Sequence, residues 1–334
     1  MSTKQTIPYI PDPGLVAAVE VALDLQMPLL VTGEPGTGKT QLAYWVAQHK
    51  LAEAAYGGQS TDVLRFNTKT NSVAKDLFYR YDAIRHFRDA QRQDNTGKHI
   101  NPLDYIDFEA LGRAILAQGE RRYVVLVDEI DKASRDFPND VLFEFEEMAF
   151  RVEEATAADF AEVNARPDFW SDKAGLDALE TPKISAKQGV IRWETTNPKP
   201  VLILTSNSEK NLPDAFMRRC VYYHIDFPGK DQLADILEAH FPEKMPVAAR
   251  EHLAARFLQV RNKGLRKLPA TAELVRWVEI AAKRNIDWEM VEQAEAKTSE
   301  TRNEAEKDAL RTLLATYAVL TKNKDDREKM TPKI

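Results

Sequence analysis

Eight residues constrain this chain more than any other stretch: Gly33-Glu34-Pro35-Gly36-Thr37-Gly38-Lys39-Thr40. They fit the pattern G-x-x-x-x-G-K-[ST] at every position. Immediately before them runs PLLVTG (residues 28–33), apolar enough for a strand buried on both faces. Immediately after runs QLAYWVAQHKLA (41–52), which reads as a helix. Strand, glycine loop and helix in that order form a phosphate cradle. The glycines let successive N–H groups turn inward, and the helix adds the positive end of its dipole. Lys39 then reaches the outer phosphates of a nucleotide, and the Thr40 hydroxyl serves a Mg²⁺ ion. The bound group expected here is therefore ATP with Mg²⁺, cradled by Gly33 to Thr40 with Gln41 as the next helical residue.

The rest of the first 228 residues repeats the alternation. A helix is predicted over Leu15–Leu25, strands over Val63–Asn67, Tyr123–Asp128, Val201–Thr205 and Val221–Asp226. Helices are predicted over Asn71–Ala90, Phe108–Gln118, Asn139–Ala149 and Pro213–Arg219. Buried strands alternating with helices imply an α/β fold, a doubly wound parallel sheet with helices on both faces. After Pro228-Gly229 the strand signals stop. Helices over Asp231–His240, Pro246–Arg261, Thr271–Arg284 and Asn303–Leu320 make a smaller all-α domain. The expected domains are 1–228 and 229–334. Two segments exceed what such a core needs, 91–107 and 151–193, the second expected to be irregular. Glu292–Asp308 is so charged that it reads as a connector or a solvated helix face.

A second chemical signal ends the strand Val124-Val125-Leu126-Val127 in Asp128-Glu129. An acidic pair at the carboxyl end of a buried strand sits where ligands bind in open sheets. Asp128 would hold Mg²⁺ and Glu129 would polarise the attacking water as the catalytic base. The alternative is an acidic cap for the next helix. Thr205-Ser206-Asn207 ends another buried strand, and the Asn207 amide can both donate and accept near the reacting phosphate; its plain reading is a strand-end turn. Arg218 and Arg219 close a short helix. Presented to a neighbouring subunit, Arg219 would neutralise charge on the transferred phosphoryl group, a contribution of about 10³–10⁵ in rate. Compensation of the helix dipole is the bland reading of either arginine.

A formal net charge of −6 argues against a non-specific nucleic-acid partner. The one cysteine, Cys220, excludes an internal disulfide and reads as packing; a reducing, cytoplasmic setting follows. No apolar run is long enough for a membrane span, and the six histidines lack metal-ligand spacing.

Taken together, YIPDPGLVAAVEVAL, GEPGTGKT, VVLVDEIDKA, LILTSN and LPDAFMRRCVYYHIDFP resemble the AAA+ superfamily and, within it, the MoxR family, over most of residues 7–228. The resemblance implies an ATPase core with a helical lid, a homo-oligomeric ring, commonly hexameric, and remodelling of a protein partner, often one with a von Willebrand factor A domain. It assigns Lys39 and Thr40 to the Walker A pair, Asp128 and Glu129 to the Walker B pair, Asn207 to sensor 1 and Arg219 to the arginine finger. Tyr9 and Ile10 fall where such proteins line the adenine pocket, or else simply pack the N-terminus. The lid stretch Leu265–Leu274 has no arginine after Pro269, which leaves Arg266 and Lys267 as substitutes for the family's sensor 2. Phe169, Trp170 and Trp193 either contact a partner or cover a satellite core. Two further readings stand beside the remodeller: a DNA-associated motor, for which Arg261–Lys267 is the one compact basic run, and an ATP-binding switch that scaffolds a partner.

Overall fold

The computed structural model describes residues 8–56, 58, 61–93, 99–117, 122–166, 168–175, 189–193, 198–207, 211–242 and 245–330. Five apolar runs form one sheet: β1 (Leu29–Gly33), β2 (Val63–Asn67), β3 (Val124–Asp128), β4 (Val201–Ser206) and β5 (Val221–Ile225). Their order is β2-β3-β4-β1-β5, with every neighbouring pair parallel. The order follows from what each strand can expose. β1, β3 and β4 are buried along their whole length and occupy the centre. β2 alternates buried with accessible positions and β5 mostly half-buried with exposed ones, and these two take the edges.

Parallel neighbours require crossovers. α1 (Pro13–Leu25) leads into β1. Asp12 caps it by accepting from Leu15 N at 3.0 Å, and Pro13 fits its first turn. α2 (Lys39–Trp45) leaves the glycine loop and widens into a π turn over Val46–Lys50. Register aligns Thr32 with Ser206, Val127 with Leu204 and Asn67 with Asp128. The carboxyl ends of β1, β3 and β4 therefore finish side by side.

Residues 71–90 depart from the single helix expected there. They form a 3₁₀ turn over Ala74–Leu77, a short strand Tyr79–Tyr81 paired antiparallel with Ile106–Phe108, and α3 (Ala83–Gln93). Aromatic residues favour a pleated, half-buried surface. Tyr79 is 1% exposed, and Phe78 stacks on Phe150 with centroids 4.9 Å apart. Asp82 then starts a new helix by accepting from Arg85 N at 2.9 Å.

The segment 151–193 is likewise more ordered than expected among its described residues. Ala149–Arg151 pairs antiparallel with Val190–Arg192, and helices span Ala157–Asn164 and Phe169–Ala174. A Thr156/Asp159 capping box begins the first of these helices. Trp170, 3% exposed, stacks on Phe160, and its indole N–H donates to Asn164 Oδ1 at 2.8 Å. Trp170 is therefore core, and Phe169 and Trp193 pack half-buried against the same cluster. Residues 94–98, 167 and 176–188 of the two long segments lie outside the described residues.

α4 (Ala110–Leu116) packs so closely that Gly112 has no room for a side chain. A Cβ there would lie 2.0 Å from the Phe78 carbonyl oxygen and 2.8 Å from its carbon, both backbone atoms. Gly112→Ala is expected to destabilise the protein by about 1–3 kcal/mol, read as a lowered denaturation midpoint. Gly229→Ala, where nothing lies within 4 Å of the added carbon, is the control expected to stay near wild type.

The chain divides into two compact units. One holds Pro11–Gly33 and Lys39–Ile225, with the sheet. The other holds the segment up to Ile10, Glu34–Gly38 and the chain from Asp226 onward. The second unit has helices α5 (Lys230–His240), α6 (Val247–Arg261), α7 (Thr271–Lys283), α8 (Trp288–Glu295), α9 (Glu304–Thr316) and α10 (Lys324–Met330). Its core centres on Trp277, fully buried, whose indole N–H donates to Thr316 Oγ1 at 2.9 Å and whose ring meets Trp288 edge-on. The charged stretch Glu292–Asp308 is the end of α8, a turn and the start of α9. Asn303 and Glu306 form a reciprocal cap, with bonds of 2.8 and 3.0 Å, and Lys297 pairs with Glu306. α8 and α10 were not legible as separate helices in the sequence. No helix among the described residues is long and apolar enough to cross a membrane.

Candidate nucleotide site

At the carboxyl edge of the sheet, Lys39 is 6% exposed and its ammonium donates to the Gly33 carbonyl at 2.7 Å. One residue on, the Thr40 hydroxyl lies 3.2 and 3.3 Å from the two carboxylate oxygens of Asp128. Sheet register brings together these residues, 88 positions apart in sequence. Gln41 follows half-buried in the first turn of α2.

Asp128 is 6% exposed and held on three sides. Besides Thr40, it accepts from Thr205 Oγ1 at 2.6 Å and from Arg65 Nη2 at 2.5 Å. Thr205 in turn accepts from the Glu129 backbone N at 2.8 Å, so a single hydroxyl on β4 braces both acidic residues ending β3. Glu129 has φ +57 and ψ +52, the left-handed region, at a cost of about 1 kcal/mol or more for a residue with a Cβ. That turn carries its carboxylate off the strand line. Asn207 Nδ2 donates to one carboxylate oxygen at 3.1 Å, and Lys132 pairs with the other. The Asn207 backbone N donates to Asp131 Oδ2 at 3.2 Å, which fixes the end of β4. Neither Asp128 nor Glu129 caps a helix with its side chain.

Glu34–Gly38 clusters with the helical unit. Gly36 and Gly38 have φ of +81 and +91, conformations that L side chains rarely adopt. A Cβ on Gly36 would come 2.2 Å from Ala270 Cβ, and one on Gly38 would come 2.5 Å from the Tyr9 ring. The loop is thus closed by small contacts on both glycines. The Thr37 hydroxyl donates to the Glu34 carbonyl at 2.9 Å, and the Thr271 hydroxyl donates to the Gly36 carbonyl. Tyr9 packs on the loop, whereas the Ile10 side chain is about half exposed. Arg266, a candidate lid arginine, pairs with Asp325 at 2.8 Å, and its backbone N and that of Lys267 donate to the buried Asp326. Arg261 reaches the loop and donates to Glu34 Oε2 at 2.6 Å.

Arg219 follows the short helix Asp214–Met217 and is exposed. It pairs with Glu146 and donates to the Ala215 carbonyl at 3.1 Å. Both arginines, Glu146, Phe145, Phe216 and Cys220 line a cavity of about 270 Å³. Burial pushes the Cys220 thiol up to about 12, so it is no nucleophile.

Sequence reasoning passed over Arg65, Lys132 and the individual role of Thr205. Arg65 sits on β2, and only the pairing of β2 with β3 brings it to Asp128.

The donor set fits a nucleotide with a divalent cation. A hydroxyl and a carboxylate are the hard oxygen ligands Mg²⁺ prefers while it keeps waters and shares phosphate oxygens. Among the described residues no group of three or more His, Cys, Asp or Glu could hold a metal ion.

Comparison with known proteins bears on the same region. A katanin structure, described as the structural basis for katanin self-assembly, is 13% identical and covers 98% of this chain and 90% of its own, with a TM-score of 0.38. A point mutant of Thermotoga maritima RuvB is 15% identical and covers 96% of this chain and 73% of its own, with a TM-score of 0.44. A search of curated proteins finds no match. The model of the ATPase family associated with various cellular activities (AAA) matches residues 29–228, from β1 past β5, more than half the chain. The glycine loop, the acidic strand end and the parallel sheet that aligns them all lie inside that span, and the chain belongs to the AAA family of ATPases.

Proposed function

We propose that this ATPase hydrolyses ATP with Mg²⁺ in a homo-oligomeric ring, commonly hexameric in the family it resembles, and uses the energy to remodel a protein partner, as a MoxR-type chaperone in the cytoplasm. The observation that carries the reading is the juxtaposition of Thr40, Asp128, Glu129 and Asn207 at one sheet edge. In it, Lys39 binds the outer phosphates and Thr40 with Asp128 holds the cation. Glu129 draws the proton from water that Asn207 orients. Tyr9 borders the base, and Arg219 acts on a neighbour's nucleotide. Residues 1–228 serve as the catalytic core and 229–334 as its lid. The resemblance to the MoxR family supports a partner with a von Willebrand factor A domain.

The DNA-motor reading gains nothing from the basic run Arg261–Lys267. Arg261 is 8% exposed and paired with Glu34, and Arg266 is paired with Asp325, so no continuous cationic stripe is offered.

A shared site makes turnover a property of the assembly. Specific ATPase activity per subunit is expected to climb steeply with protein concentration through the association range, tracked by light scattering. A rate constant per chain across a range in which scattering shows dissociation would overturn the shared site.

A further inference from the structure

The second residue of the glycine loop is an acid, and that is a problem for a phosphate site. Glu34 places a carboxylate within the turn that must receive a polyanion, and like charges at close range repel. In the structure this carboxylate meets Arg261, the last residue of α6.

Arg261 is an unusual arginine. It is only 8% exposed, in a chain where most cations lie at the surface. Burying a guanidinium is costly unless its donors are satisfied. One arm donates to the Pro269 carbonyl, the other to Glu34 Oε2 at 2.6 Å, and the central guanidinium carbon lies over the Phe227 ring, 3.4 Å from its centroid. These three contacts fix the planar group in one orientation, which a flexible lysine would not match. Pro269 leads into Ala270, which abuts Gly36, and Thr271, whose hydroxyl reaches the Gly36 carbonyl. The loop is thus held at both Glu34 and Gly36 by one short stretch of the helical unit, with Arg261 bonded to that stretch and to the loop together.

We infer that Arg261 is a positioning residue for nucleotide binding, which neutralises Glu34 and fixes the phosphate loop in its receptive shape. It acts through Glu34 and touches no reacting atom. The inference rests on the reading of Gly33–Thr40 as the triphosphate site.

The test is ATP binding by calorimetry with Mg²⁺ chelated, so that affinity is read without turnover, followed by steady-state kinetics with Mg²⁺. Arg261→Met keeps much of the apolar stem and leaves Glu34 uncompensated. It is expected to weaken ATP binding about tenfold and raise KM by a like factor, with kcat within about twofold. Glu34→Gln removes the repulsion along with the anchor. Its side chain is about half exposed, so the fold tolerates the change, and its loss of ATP affinity is expected to be smaller than that of Arg261→Met. Combining the two substitutions is expected to recover most of the lost affinity. Wild-type affinity in Arg261→Met, or a double variant as weak as Arg261→Met, would overturn the inference. A loss of ATP affinity in Glu34→Gln greater than in Arg261→Met would overturn it too, since the uncompensated carboxylate would then not be the source of the loss. Wild-type protein that binds ATP no better than Lys39→Ala would instead sink the phosphate-site reading, a separate outcome.

Discussion

Arg219→Ala is expected to lower ATP turnover by about 10³-fold or more while ATP affinity stays near wild type. The size of the effect reflects what such an arginine does. In phosphoryl transfer the protein contributes mainly positioning and charge stabilisation, so a cation that meets the transferring group only in the transition state affects kcat and leaves ground-state binding alone. Within one chain Arg219 is occupied by Glu146 and the Ala215 carbonyl, both partners at an exposed surface. An exposed ion pair of this kind contributes little, typically under about 1 kcal/mol, and yields readily to a better anion. Mixing decides between a neighbour's site and its own. Arg219→Ala keeps Glu129, and Glu129→Gln keeps Arg219. If the arginine acts across a subunit boundary, mixed rings of these two inactive variants regain part of the activity. No recovery in rings shown to contain both chains would place the arginine in cis or reduce it to a helix-end contact.

The second large effect is expected from Glu129→Gln. Losing a positioned general base costs about 10²–10⁴ in rate. The substitution keeps shape and volume, and ATP should remain bound because none of the loop contacts involves this side chain. The surroundings of Glu129 sharpen the expectation. Its two oxygens accept from the Asn207 amide and from Lys132. A glutamine presents an NH₂ to one of those donors, so the Asn207–Glu129 geometry is disturbed as well as the basicity. Single-turnover measurement with ATP in hand separates the steps: binding intact with hydrolysis slowed supports the base. Hydrolysis at the wild-type rate would assign Glu129 to a structural role, and the left-handed backbone at that residue would need another reason.

Much of the site was legible in the linear chain because its chemistry is written locally. The phosphate loop needs glycines at fixed offsets and a lysine followed by a hydroxyl, and a loop between an apolar run and a helix meets that need within eight residues. The acidic pair after VVLV is equally local, since a strand buried on both faces can end in carboxylates only at its edge. The parallel sheet follows from apolar runs separated by helical periods.

Other features escaped for one physical reason: their partners are distant in sequence. Residues 71–90 look helical because their polar–apolar spacing allows it, yet Phe78 and the strand residue Tyr79 gain more by packing against Phe150, 72 and 71 positions later. Nothing local in Arg65 marks it, since it reaches Asp128 only once β2 lies beside β3. Arg266, close to Pro269, pairs with Asp325, whereas Arg261, eight residues before Pro269 at the end of α6, donates to Glu34, because packing and not spacing decides which guanidinium turns toward that carboxylate.

By itself, then, the sequence determined the phosphate loop, the acidic strand end and the layered α/β plan, all of which depend on neighbours along the chain. Only the tertiary structure decided strand order, which brings Thr40, Asp128, Thr205 and Asn207 to one edge, and which basic residues hold the acids there. Those outcomes come from burial and charge pairing summed over distant segments, and no single stretch contains them.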